Sequence, residues 1–205
     1  MNEFKKDLIK YLLEFLIVVF GVFLGMYVNE RVAQNKIDRE VKKSLSYILD
    51  ELEGNSRQLE YTIAYHEKIK TAYQKFKADI PEEELLSNYF ANQKYKFNKI
   101  DGWDGVHLPS YENIAFEGAK ISGLTREFDI ETVQSLSQIY KMLEFNGEFG
   151  KTTLDKMLSM DSDSKVVDGL SIISLLTGDV LTSEIYLKKR LDEALKELKL
   201  RHPQN

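Results

Sequence analysis

Cysteine is absent from this 205-residue chain, and proline occurs only three times. The first absence removes disulfides, thiolate nucleophiles and cysteine metal ligands together, and leaves the redox compartment open because both environments tolerate it. The second, alongside 30% charged residues, leaves long stretches free of helix breakers and predicts an all-α protein. An excess of positive charge is missing too. With 28 Lys+Arg against 33 Asp+Glu the formal charge is −5, without the basic stripe that phosphate neutralisation requires, so nucleic acid is excluded as an expected partner.

Catalytic signatures are also lacking. His66, His107 and His202 fall on a helix, a loop and the tail, with no H-x-x-x-H or H-E-x-x-H spacing. The run Asp161-Ser162-Asp163-Ser164-Lys165 begins like a calcium loop, but it has Lys165 fifth and Ile172 where the bidentate acid belongs. No P-loop, dinucleotide fingerprint or G-x-S-x-G elbow occurs. The acids Glu82 to Glu84 fit the favourable charge at a helix start. No catalytic residue, metal ligand or cofactor site is therefore assigned, and the expectation is a protein that is not an enzyme.

What the chain does have is Tyr11 to Val28, YLLEFLIVVFGVFLGMYV. Eighteen residues of helix span about 27 Å, just enough to cross a bilayer. No small-residue cleavage site follows, since Asn29, Glu30 and Arg31 continue the helical pattern, so the expectation is an uncleaved single transmembrane helix, 11–28, after a tail, 1–10. Gly21 and Gly25 form a G-x-x-x-G pair, which bares one strip of backbone to a neighbouring helix; the competing explanation is that glycine is common in membrane helices. Glu14 is an acid inside the apolar run. Snorkelling or a pair with Lys10 accounts for it structurally, and a protonatable role in ion transfer is the functional alternative.

Orientation is balanced. Lys5, Lys6 and Lys10 precede the span, while Arg31, Lys36, Arg39, Lys42 and Lys43 follow it, interleaved with Glu30, Asp38 and Glu40. Counting positives alone favours a cytoplasmic body, whereas the cost of translocating a three-lysine tail favours a periplasmic one, and the periplasmic side is the expectation.

Beyond the span, Ile37, Val41, Leu45, Ile48, Leu52, Leu59 and Ile63 step mostly by three and four, predicting a long amphipathic helix over 29–80, continuous with the anchor. Its eleven-residue steps fit the nearly straight wall of a bundle better than a heptad seam. Gly54-Asn55 marks its one expected weak point. Residues 81–205 are expected to form the helical bundle body. Within it, Glu82 to Tyr89 suggests a short helix, and 95–108 an irregular loop around the only tryptophan. Trp103 and His107 mark that loop as a possible binding element, against a lid folded onto the bundle end.

Ser110 is the expected cap of the next helix, with Tyr111, Ile114, Gly118 and Ile121 on its packed face and Gly123 as its end. Asp129 then caps a helix whose seam runs Val133, Leu136, Tyr140, Leu143, Leu154 and Leu158, with a possible bend at Gly147 to Gly150. The apolar segment Val166 to Leu187 contains Asp168, Asp179 and Glu184, too many acids for a second crossing, and Gly178-Asp179 is expected to turn it into the last helix. There Leu187, Leu191, Leu195 and Leu198 form the inner stripe and Asp192–Lys196 an outer pair.

The segments LEFLIVVFGVFLGMYVNE and ENIAFEGAKISGLTREFDIETVQSLSQIYKMLEF resemble a family of uncharacterised bacterial single-span proteins, a domain of unknown function common in Bacteroidetes. Glu14, Gly21, Asn29, Glu30, Ser122, Gly123, Leu136 and Tyr140 carry the likeness. The resemblance implies an anchored helical body and brings no activity, cofactor or catalytic residue. This tail, with Glu3 and Asp7, is less basic than the family's. Taken together, the sequence predicts a scaffold in the bacterial inner membrane whose partners are the lipid bilayer and either a second copy or another membrane protein. An accessory subunit of an ion-driven complex using Glu14 is the alternative.

Overall fold

The computed structural model describes residues 3–203, with side chains from residue 9 onward. The protein is all-α, and apart from an isolated bridge between Asn88 and Lys165 there is no β pairing among the described residues. Helix α1 (Glu3–Ala78) is 76 residues long, about 114 Å at 1.5 Å per residue. It takes in the whole apolar segment, an exposed stretch after it and one wall of the bundle. The weak point expected at Gly54-Asn55 does not break it. Asn55 is buried and bonded to residue 112, so packing on this turn outweighs the roughly 1 kcal/mol that a mid-helix glycine costs.

The bundle closes on α1 with α2 (Ile114–Ile121), α3 (Ile130–Leu158), α4 (Val166–Leu175) and α5 (Leu181–Arg201). Its main core joins Leu45, Ile48, Leu52 and Leu59 of α1 to Leu136, Ile139 and Leu143 of α3 and to Leu187, Leu191, Leu195 and Leu198 of α5. The predicted stripes of α3 and α5 are therefore the packed ones, except that Leu158 is exposed. Asp129 caps α3, accepting from the Thr132 amide at 2.8 Å, and Gly123 ends the α2 region in the left-handed conformation that glycine adopts freely (φ 79°). α3 runs unbroken through Gly147 to Gly150, and Gly150 gives room to Leu108, whose Cδ2 lies 2.8 Å from where a Cβ would sit.

Several local expectations are corrected. Residues 82–89 form one 3-10 turn, Glu82–Glu84, and not a helix. The backbone beyond it is drawn into bonds with 164–167, among them Tyr89 N to Ser164 O at 2.8 Å and Val166 N to Ser87 O at 3.0 Å. Ser110 caps nothing, because the chain has no regular structure until α2 begins after Asn113. On α2 the buried residues are Phe116 and Ala119, whereas Ile114 and Ile121 are 77% and 87% exposed and Gly118 packs against nothing. With the main chain of 110 and 112 pinned to α1, the helix starts at a different phase from the one its apolar residues suggest. Gly178-Asp179 is no turn. Leu176, Thr177 and Val180 are buried, and a π-helical step carries α4 straight into α5 as one 36-residue rod, Val166–Arg201. Asp192 pairs with Lys188 at 2.5 Å, turned that way because it also accepts from Ser56 of α1 at 2.8 Å.

Among the described residues, two helices are long and apolar enough to cross a membrane. They differ in context. The apolar window of α1 is wholly exposed, whereas half of that in the α4–α5 rod is buried within the bundle.

The two Thr132 bonds, backbone first, hold the Asp129 carboxyl below its usual range, so its contribution is present above the ordinary carboxylate range and is lost as pH falls. Asp129→Ala should cost about 1 kcal/mol in urea unfolding near neutral pH. The difference from the parent should shrink on acidification.

Candidate functional site

The first candidate region is the apolar part of α1. Between Ile9 and Val28, fifteen large apolar side chains are each at least 51% exposed, far beyond the patches that soluble monomers leave open. A Cβ added at Gly21 or Gly25 would meet nothing within 4 Å, so packing within this chain gives no reason for either glycine. Glu14 is exposed, and no ion pair joins it to Lys10 among the described residues.

Because α1 is unbroken, its residues keep a common phase. At 100° per residue, Glu14, Gly25, Val28 and Val32 fall within about 40° of Gly21. The bundle-facing residues Val41, Leu45, Ile48, Leu52, Leu59 and Ile63 centre roughly 160° away by the same measure. The glycine strip and the acid thus share the side of α1 that faces away from the body.

The second region is the stretch 103–113, a strap laid along α1 and leading into the first turn of α2. Polar side chains one or two turns apart on α1 bond its main chain in succession. Glu51 accepts from the Ala115 amide at 2.7 Å, and Asn55 pairs with both the N–H and the carbonyl of Glu112 at 2.8 Å. Gln58, with its nitrogen toward the Ser110 carbonyl and its oxygen toward the Ser110 amide, bonds at 2.7 and 2.9 Å. The Tyr65 hydroxyl donates to Gly105 O at 2.7 Å and accepts from the Asp104 amide at 2.9 Å. Satisfied this way, a segment with no regular structure lies flat on a helix without orphaned backbone groups.

His66 of α1 is fully buried beneath the first part of the strap. Its Nδ1 lies 2.7 Å from Glu184 Oε2 on α5, itself fully buried, and its Nε2 lies 2.8 Å from Val106 O. Glu184 Oε1 meets no protein donor. Alongside, the buried Asn146 accepts from Tyr111 Oη at 2.7 Å and donates to Ser183 Oγ at 3.0 Å. Burial, and secondarily the Glu184 charge, pushes the Tyr111 phenol well above its ordinary value. Burial, opposed by the bond from the Asp104 amide, also raises the phenol of Tyr65.

The structure separates the two residues that the sequence marks in the loop. Trp103 is half-buried, 5.6 Å from the Phe97 ring, and packs against two apolar clusters, one around Ile69 and Val166 and one around Leu176 and Val180. His107 is exposed and stacks on Tyr65 at 4.1 Å, with φ 47°, a left-handed conformation that histidine tolerates better than most residues. The two residues do not converge on a common cavity. The fully buried residue beneath the first part of the strap is His66, which its spacing alone does not reveal. The available signal is the polar series Glu51, Asn55, Gln58, Tyr65 and His66, which recurs beside the apolar stripe of a helix that otherwise needs no polar inner edge.

A groove of about 640 Å³ lies between α2 and α3, floored by Phe116 and Tyr140 and rimmed by Lys120, Lys141, Glu144 and Glu148. Its tyrosine hydroxyl is already committed to Glu51 at 2.5 Å, and its rim mixes both signs of charge. No group of three potential metal ligands occurs among the described residues. Comparison with family models, with curated proteins and with solved structures finds no match.

Tyr65→Phe removes two bonds to the strap and should destabilise the fold by about 1–2 kcal/mol. It should also speed hydrogen exchange at Asp104 while leaving the α3 and α5 core amides unchanged, as read by mass spectrometry.

Proposed function

We propose that this protein is a membrane-anchored helical scaffold, not an enzyme, which associates through the apolar and adjoining parts of α1. The observation that carries this reading is the phase of α1. Its open glycine strip points away from the body, so a second helix can close on Gly21, Gly25, Val28 and Val32 without meeting the bundle. A stretch of α1 between the apolar segment and the bundle is exposed, from Asn29 to Glu40, and an isolated helix of that length is marginal, which a partner helix would remedy. The partner is a second copy or another single-span protein. The membrane is the bacterial inner membrane, with the body on the periplasmic side, in keeping with the family that the anchor resembles.

A second reading makes the protein an accessory subunit of an ion-driven complex, with Glu14 as a protonatable group. The placement of Glu14 on the glycine face favours it, because association along that face would draw the acid into a helix–helix contact.

Full-length protein in mild detergent or nanodiscs tests both readings. Gly25→Leu should reduce the oligomeric or partner-bound fraction by about tenfold or more, corresponding to a loss of about 1.4 kcal/mol. A strictly monomeric parent with no co-purifying partner would dispose of the scaffold reading. Glu14→Gln should leave association unchanged if the acid merely snorkels, and should abolish ion-coupled activity of the complex if the second reading holds.

A further inference from the structure

We propose that the strap is latched by a proton shared between His66 and Glu184, and that losing this proton opens the strap. The hydrogen-bond inventory requires such a proton. Both ring nitrogens of His66 face acceptors, a carboxylate oxygen at 2.7 Å and the Val106 carbonyl at 2.8 Å. A carbonyl only accepts, so Nε2 must carry a hydrogen. The 2.7 Å contact at Nδ1 needs a hydrogen as well, either on the ring as imidazolium or on Glu184 as carboxylic acid. In both arrangements the pair holds two exchangeable protons and has no net charge. That suits its complete burial, since an unpaired charge there would be costly.

Removing one proton leaves a neutral ring with a single N–H beside an ionised Glu184. The two acceptors then compete for it. A bond to a carboxylate is roughly twice as strong as one to a neutral carbonyl, so the hydrogen stays with Glu184 and the Val106 carbonyl is left facing a lone pair. Val106 packs with Leu176 and Val180, flanked by Trp103 and Leu108 of the same strap, so its release loosens the cover of an apolar cluster at the π-helical step between α4 and α5. The latched form binds more protons than the open one, and raising the pH therefore favours opening.

Other titratable groups around the pair do not supply this switch. From α1 comes Tyr65 and from the strap Tyr111, both held above the ordinary phenol range chiefly by burial. Asp104 and His107 sit on the exposed side of the strap, α3 contributes the neutral Asn146, and among the described residues the only ion-pair partner of Glu184 is His66.

The test is hydrogen exchange at the Asp104 to His107 amides of the full-length protein in detergent, corrected for intrinsic exchange, from about pH 5 to about pH 9. In the parent, protection should fall by about tenfold per pH unit over the range in which the closed strap holds the proton and the open one has released it. Glu184→Gln supplies an amide that donates to Nδ1 while Nε2–H still donates to Val106, so the latch should hold with little pH dependence, although His107 and Asp104 are unchanged. Equal slopes in parent and variant, or flat protection in the parent, overturn the proposal. A second measurement needs no variant: the ring ¹⁵N shifts of His66 should show Nε2 protonated whenever the strap is closed, and a closed strap over an unprotonated Nε2 contradicts it.

Discussion

The structure depends on the uninterrupted hydrogen-bond ladder of α1. Each i to i−4 bond fixes the rotation of the next residue, so a helix without proline from Glu3 to Ala78 transmits one phase from its apolar end to its buried wall. That phase assigns one side of the helix to Leu45, Ile48, Leu52 and Leu59 and the other to Gly21 and Gly25. A kink at Gly54 would uncouple the two. The helix runs unbroken through this turn, with Asn55 buried and bonded to the Glu112 main chain.

The body solves a second problem, which is what to do with thirty-odd residues that form no long helix. Between α1 and α2 the chain makes two 3-10 turns and otherwise runs irregularly. It first exchanges backbone bonds with 164–167 and then lies along α1 under Glu51, Asn55, Gln58 and Tyr65. Side chains on α1 thus do for this segment what a neighbouring strand does in a sheet. Glycines at its crossing points permit the close approach, Gly150 beneath Leu108 and Gly169 against Tyr89, whose Cε2 lies 2.7 Å from the place of a Cβ. Two members of the α1 series also reach a second helix, Glu51 through Tyr140 of α3 and His66 through Glu184 of α5.

The α-helical class, the continuity of the long helix, the Asp129 cap and the inner stripes of α3 and α5 were legible in the sequence because each rests on local periodicity or a local cap. The errors share a cause. Ser110, the face of α2, the short helix at 82–89 and the turn at Gly178 were all read from neighbours in sequence, whereas contacts distant in the chain decide them: Gln58 to Ser110, Ser87 to Val166, and the buried Leu176 and Val180. His66 was hidden for the same reason. Its partners stand 40 and 118 residues away, and a lone histidine on an apolar face carries no mark of a buried carboxylate opposite it. In the sequence Glu184 reads only as an acid that argues against a second crossing, whereas in the fold it is fully buried inside the bundle.

The central claim is that one rigid helix runs from the apolar segment into the body, and a distance measurement tests it most directly. Because the chain has no cysteine, spin labels introduced by Val22→Cys and Tyr61→Cys report unambiguously from two exposed positions. In bilayer-reconstituted protein diluted with unlabelled chain, pulsed dipolar spectroscopy should give a single narrow distribution near 58 Å, the length of 39 residues at 1.5 Å each. A markedly shorter or broad, multimodal distribution would mean that the apolar segment and the body are joined by a hinge, and the account of a shared helical face would fail.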